Sequence, residues 1–263
     1  MRKSLTILLA LMFVFPGCLD EELDNLDDNE DSKINESGND PLNETVNQTE
    51  EVRESELIEV PYEEGCDNIN PLHCMFPFPS NAFLSEDSTT ATGYRVNYTK
   101  TTVPGSGTFR QVEIPGLNRL DGMSPSTQIL TAFDDDPTLT GVANQSTIEK
   151  SLFAAHATIL VNLDTGERLP HWVELDSRTD NRGPTILYIR TLRGLDHNTA
   201  YGVGISGLTN STGDLISPSL AFKALIDGDY TNALDVELRA ASFDNLFVSL
   251  ESHGYERENL QEA

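Results

Sequence analysis

A β-sandwich is the fold class predicted for the chain from Tyr62 onward, and three observations predict it. Short β-branched and aromatic runs recur. The residues between them are turn formers. One run alternates large apolar residues with small ones along its whole length.

The strands follow in order. ATILVNL, Ala157 to Leu163, is a β-branched apolar run, and DTGE, Asp164 to Glu167, is turn chemistry. RLPHWVELD comes next, with Leu169, His171, Val173 and Leu175 on one face. Pro170 cannot donate to a ladder, so this strand belongs at an edge or begins there. TILYIRTL, Thr185 to Leu192, is a further strand. TAYGVGISGL places Tyr201, Val203 and Ile205 on one face and Gly202, Gly204 and Ser206 on the other. A glycine face predicts close approach of another backbone or of a bulky side chain. TNSTGD, Thr209 to Asp214, is a turn leading to LAFKAL, which is read with the strand pattern.

Two helices interrupt the strands. Ser146-Thr147-Ile148-Glu149 matches a capping box, with Ile148 and Leu152 one turn apart, and predicts a short internal helix. Phe243, Leu246, Phe247 and Leu250 have i, i+3, i+4, i+7 spacing, and Gly254 can end that helix. This amphipathic C-terminal helix lies beyond the last strand of the pattern. Its stripe is therefore expected to pack partly against a region further downstream.

The first 61 residues are different. Arg2 and Lys3 precede an apolar run from Leu5 to Phe15, 11 residues long. A bilayer span needs about 20, so the run reads as an export signal over residues 1–17. It ends at Phe15-Pro16-Gly17-Cys18, which resembles a lipoprotein signal, in which the cysteine becomes the new N-terminus and carries lipid. Residues 18–61 carry most of the 18 acidic residues that lie between Asp20 and Glu64, against only Lys33 and Arg53. They hold too few apolar residues to offset the entropy of ordering, and like charges extend them. The segment reads as a disordered acidic tether, followed by a β domain over 62–235 and a helical segment over 236–263.

Three cysteines occur, an odd count for an exported chain. If Cys18 carries lipid, Cys66 and Cys74 can pair, and so short a loop contributes roughly 2–3 kcal/mol by chain-entropy reasoning. Membrane contact through that lipid places the protein on the cell surface or on the periplasmic side of a membrane. Six Asn-x-Ser/Thr sequons, at Asn35, Asn43, Asn47, Asn97, Asn144 and Asn210, are candidate glycosylation sites. The formal charge of −26 repels nucleic acid and anionic lipid, so neither is expected as a partner.

Candidate chemistry is sparse. His73, His156, His171, His197 and His253 show no helical ligand pair and read as surface or strand residues. Cys66, His73 and Cys74 lack a fourth metal ligand. Asp134-Asp135-Asp136 lacks the alternating spacing of a calcium loop. Trp172 reads as a core or inter-sheet residue before it reads as a carbohydrate platform. No metal and no cofactor is expected.

Four blocks share an order: CMFPFPSNAFL, LDGMSPSTQIL, VNLDTGERLPHWVELD and IRTLRGLDHNTAYGVGISGLTNSTGDLISPSLAFKAL. Together they resemble the N-terminal region of large secreted lipoproteins related to extracellular bacterial lipases and esterases. The resemblance covers roughly residues 66–263. It implies an Ig-like β-sandwich with a short internal and a C-terminal helix, and a hydrolase-like partner domain downstream in the parent chain. The chain has no Gly-x-Ser-x-Gly, and Gly105-Ser106-Gly107 lacks the spacing of a nucleophile elbow. No catalytic residue is carried over, and this chain is expected to be non-enzymatic. A complete surface adhesin or binding module is the alternative.

Overall fold

Residues 57–103, 112–177 and 183–263 are described by the computed structural model of the chain. The export signal, Cys18, the sequons at Asn35, Asn43 and Asn47, and Gly105 to Gly107 lie outside the described residues. In chain order the elements are β1 (Leu84–Glu86), β2 (Tyr94–Val96), α1 (Ile114–Leu117), β3 (Ile129–Phe133), β4 (Thr158–Asn162) and β5 (His171–Leu175). They continue with β6 (Thr185–Thr191), β7 (Tyr201–Ser206), α2 (Leu220–Asp227), α3 (Leu234–Glu237), α4 (Ala240–Glu251) and β8 (Leu260–Glu262). The described chain is mainly β, with three small antiparallel sheets: β1-β2, β3-β6-β5 and β4-β7-β8.

Side-chain alternation sets the layers. On β5, Val173 is buried, and on β6, Leu187 and Ile189 are buried. They join Phe133 of β3 and Ile205 of β7 in one apolar cluster, so the two three-stranded sheets share a core. Strand β5, which follows Pro170, is an edge strand, as the missing proline donor requires. The opposite side of the β4-β7-β8 sheet carries a second cluster. Ile159, Val161 and Leu260 meet Phe222 of α2, Val236 of α3 and Phe247 and Leu250 of α4 there. A third, smaller cluster of Phe83, Val96 and Tyr98 lies under β1 and β2.

The glycine face of β7 receives α4. A Cβ on Gly202 would run into Leu246 Cδ1, and one on Gly204 would stand 3.0 Å from both Leu250 Cδ1 and Cδ2. The stripe is therefore seated inside this chain. Leu250 and Phe247 are fully buried, and Phe243 and Leu246 pack against the same cluster. The space that the two glycines leave empty is what the stripe fills, while Phe243 and Leu246 stay half-buried. The helix ends as Gly254 predicts. The Tyr255 amide donates to Leu250 O (3.1 Å) and the Gly254 amide to Glu251 O (2.9 Å), a Schellman closure with Gly254 at φ 87°.

One expectation is corrected. LAFKAL is not a strand but most of α2. Ser219 Oγ accepts from the Phe222 amide (3.1 Å), and Gly228 closes the helix in the left-handed region. The apolar residues repeat with helical period, and Ala221, Phe222, Leu225 and Ile226 all enter the core. The short internal helix is present as a 3₁₀ turn, Ile148–Leu152, although the capping box does not form and no side chain caps it. Its polar residues are used locally: Thr147 Oγ1 accepts from the Asn144 amide (3.1 Å), and Asn144 Oδ1 accepts from the Ser146 amide (2.9 Å).

The seat makes a testable distinction between the two glycines. Leu250 is fully buried and cannot give way, whereas Leu246 is half-buried and can swing. Gly204→Ala should lose about 1–3 kcal/mol in chemical denaturation, the usual cost of overpacking. Gly202→Ala should lose clearly less. Equal losses would show that the seat is not set by Leu250.

Candidate functional site

The segment FPFPSN crosses one end of the shared core. Phe78 exchanges two backbone bonds with Leu130 of β3, at 2.8 and 2.7 Å, which adds a rung to that strand. Both Phe76–Pro77 and Phe78–Pro79 are cis. Between this segment, β7 and the start of α4 lies a cleft of about 230 Å³. Its walls are apolar: Phe78, Ile129, Leu187, Ile189, Val203, Phe243 and Leu246. Its polar residues include Ser80, Arg239 and Glu262, and no histidine lines it.

Arg239 is fully engaged. Its guanidinium forks onto Asp67, with Nη2 to Oδ1 at 2.6 Å and Nη1 to Oδ2 at 3.0 Å, and Nη2 also reaches Asp235 Oδ2 at 3.2 Å. Asp67 is wholly buried. It also accepts from the Ile69 amide (3.1 Å) and from Ser80 Oγ. A planar fork on a carboxylate is the strong form of such a pair, and removing one partner would strand a buried charge at a cost of about 3–5 kcal/mol. Ser80 serves this pair and caps the 3₁₀ turn at Asn81–Phe83. Its hydroxyl is not poised as a nucleophile.

Glu262 stands where the two sheets meet. Its position opposite Ile205 turns its side chain toward β3. Oε2 accepts from Asn70 Nδ2 (2.9 Å) and from Thr131 Oγ1 (3.0 Å), whereas Oε1 makes no hydrogen bond. Burial pushes the carboxyl up to about 8. The bonds from Thr131 and Asn70 and the nearby Ala263 amide oppose the rise, and the charge of Asp67 adds to it. Near neutral pH the raised carboxyl therefore favours its protonated form.

The histidines form a separate, structural pair. His171 is a strand residue of β5, as expected, but it and His156 are both buried, and their ring centroids lie 5.8 Å apart. Nδ1 of His171 donates to Leu169 O (2.9 Å), and its Nε2 meets Thr158 Oγ1 (2.8 Å). His156 Nε2 accepts from the Ala143 amide (2.8 Å), so Nδ1 carries the hydrogen and donates to Thr158 O (2.8 Å). Burial lowers both, His171 to about 4, and the neighbouring His156 lowers it further. Every ring nitrogen of the pair is occupied, which leaves no free base.

The remaining sequence candidates separate. Cys66 and Cys74 form a disulfide, which consumes the two thiols that a metal site with His73 would need. His73 instead stacks on Phe76 at 4.4 Å. Asp135 accepts from Asn210 Nδ2 (3.2 Å) and Asp136 from Thr185. Among the described residues no group of three or more His, Cys, Asp or Glu could hold a metal. Asn97 and Asn144 are exposed, whereas Asn210 is half-buried and its Oδ1 accepts from the Thr212 and Asp214 amides, both at 3.0 Å. Trp172 is not in the inter-sheet core. It lies half-buried on the outer face of β5 and donates from Nε1 to Glu174 (3.0 Å), which pairs with Arg190. Asp67, Ser80, Arg239 and Glu262 were not singled out from sequence. They come from four separated segments, and only Ser80 sat inside a block that the sequence marked. Among the described residues no helix is long and apolar enough to cross a membrane.

No family model, no curated protein and no solved structure matches the chain. The resemblance to lipase-related lipoproteins thus rests on the quoted blocks alone.

Glu262 and His171 tilt stability in opposite directions with pH. The raised carboxyl keeps its proton in the fold while the unfolded chain ionises above 4.5, so its contribution is present below that pH and lost as pH rises through about 8. The lowered His171 stays neutral in the fold while the unfolded chain binds a proton below 6.5, so its contribution is lost as pH falls through about 4. Glu262→Gln should therefore leave stability near pH 4.5 almost unchanged and raise the denaturation midpoint progressively toward pH 9. Each pH unit across that window is worth ~1.4 kcal/mol. A uniform offset at all pH values would contradict a protonated Glu262.

Proposed function

We propose that this chain is a non-catalytic accessory β domain of an exported, lipid-anchored cell-surface protein, standing N-terminal to a hydrolase-like domain of the same parent. The observation that carries the reading is the Cys66–Cys74 disulfide. It suits an oxidising compartment, and it leaves Cys18 as the odd cysteine, at the end of the apolar leader, where lipid would attach. Among the described residues, Ser80 is bound by Asp67 and the two buried histidines have no nitrogen to spare, which supports the non-catalytic part. An Ig-like sandwich is the finer fold proposal. The core shared by the β3-β6-β5 and β4-β7-β8 sheets favours it, and the helical LAFKAL is a departure from the strand pattern.

A second reading, a self-sufficient surface binding module, is favoured by the apolar cleft between β7, α4 and the Phe78 segment.

Cell fractionation tests the first reading. The native chain should partition with membranes, and Cys18→Ser should release it. Retention of an uncleaved Cys18→Ser chain would make the leader a plain anchor. The purified chain should hydrolyse no short-chain ester above background, and a serine-dependent activity would end the non-catalytic assignment.

A further inference from the structure

The loop from Cys66 to Cys74 has no helix or strand of its own, yet the run from Cys66 to Asn70 is buried throughout. Its residues reach different distant elements. Asp67 takes the fork of Arg239, just ahead of α4. Asn68 meets Asp235 of α3 twice, donating from its amide to Oδ2 (3.1 Å) and from Nδ2 to Oδ1 (2.9 Å). The Ile69 carbonyl accepts from Ser219 Oγ, the cap of α2, and the Ile69 side chain enters the cluster beneath the helices. Asn70 turns the other way. Its Nδ2 donates to Thr131 Oγ1 (3.0 Å) and Ala132 O (2.9 Å) of β3 and to Glu262 Oε2 (2.9 Å) of β8. Three consecutive residues thus hold the helical layer, and the fourth holds the sheets. Among the described residues the ends of the loop are joined by the Cys66–Cys74 disulfide and by the bond from the Asp67 amide to Cys74 O (2.9 Å).

We propose that this disulfide is a redox latch on the helical layer: closed, it pins α2, α3 and α4 through the loop, and reduced, it lets them loosen while the β3-β6-β5 sheet stays folded. An open loop regains conformational freedom that the cross-link removes. The contacts to Arg239, Asp235 and Ser219 all need one shape of the loop backbone, so they lapse together. The β3-β6-β5 sheet keeps its own ladder and its cluster of Val173, Leu187 and Ile189. The reductant is a dithiol. It enters at Cys74, which is half-buried, whereas Cys66 is only 8 % exposed. One thiolate of the dithiol attacks Cys74 Sγ, and Cys66 leaves as a thiolate and takes up a proton. The second thiol then displaces Cys74 from the mixed disulfide, which leaves two free cysteines and a disulfide within the reductant. Two electrons pass from the dithiol to the protein. The latch deepens the export reading and rests on it for its setting: in a thiol-rich compartment the helical layer is loose, and it locks once the chain is outside. The chemistry itself needs neither the lipid nor the hydrolase-like domain.

The test uses the full chain, isotope-labelled, with and without dithiothreitol. On reduction the amide exchange of Phe247 and Leu250 in α4 should speed by about tenfold or more, with Leu187 and Ile189 of β6 changing by less than about twofold. Reoxidation should restore the slow exchange. The double variant Cys66→Ser, Cys74→Ser should match the reduced chain in either buffer. Three outcomes would overturn the proposal. One is equal acceleration in α4 and β6, or a double variant that does not fold, which makes the bond a staple of the whole domain. Another is unchanged exchange in α4 after reduction, which means that the loop keeps its shape without the bond. The third is a disulfide that dithiothreitol reduces only in denaturant, which means that Cys74 is out of reach. A chain that is never exported would refute the export reading and leave these outcomes untouched.

Discussion

Strand β7 is covered on both faces, and its alternation of large and absent side chains is what lets both coverings fit. Ile205 and Val203 face the β3-β6-β5 sheet and fill the space between sheets. Gly202 and Gly204 face α4 and leave room for Leu246 and Leu250 to come almost onto the backbone. Close seating of this kind brings van der Waals contact that a side chain on the strand would prevent. Glycine weakens a strand through backbone entropy, and the buried leucines offset that cost. The helical layer, the short return of β8 beside Ile205 and the cleft at the end of α4 all depend on where that seat puts α4.

A second constraint is polar. The sheets meet at Glu262, Asn70 and Thr131, and the helical layer is tied to the Ser80 loop through Asp67 and Arg239. Buried polar groups must be satisfied, so each of these contacts admits few alternative registers. Gln261 shows the same logic one residue earlier. It lies at the irregularity between β7 and β8, and its side chain bonds to the Leu208 amide and to the Leu208 and Ile216 carbonyls, at 2.8, 2.8 and 2.7 Å. Glu262 remains the exception. Its neutral form is the compromise for one oxygen left without a partner.

Much of the fold was legible where one local rule had no competitor. Pro170 marked an edge strand, the glycine face of β7 announced a close neighbour, and the stripe of α4 with Gly254 marked a helix and its end. Leu220–Asp227 shows what happens when two periods fit one segment. Phe-x-Ala-Leu alternates, so it reads as a strand, yet Ser219 and Gly228 flank it with helix caps, and the burial of four apolar residues on one face decides for the helix. Those caps were a signal in the sequence, outweighed by the turn preceding the segment. At Ser146 to Glu149 the short helix forms without its capping box. The motif was present, but the Thr147 and Asn144 side chains take the Asn144 and Ser146 amides instead.

The site was not legible, and the reason is physical. Asp67, Ser80, Arg239 and Glu262 acquire their character only when desolvated together. In sequence each is an ordinary polar residue in a chain that already has 43 acidic ones. Burial leaves Asp67 held in the guanidinium fork of Arg239, whereas Glu262 meets only neutral donors and its carboxyl is pushed up. Tertiary neighbours, not local spacing, decide what each of two similar carboxyls becomes.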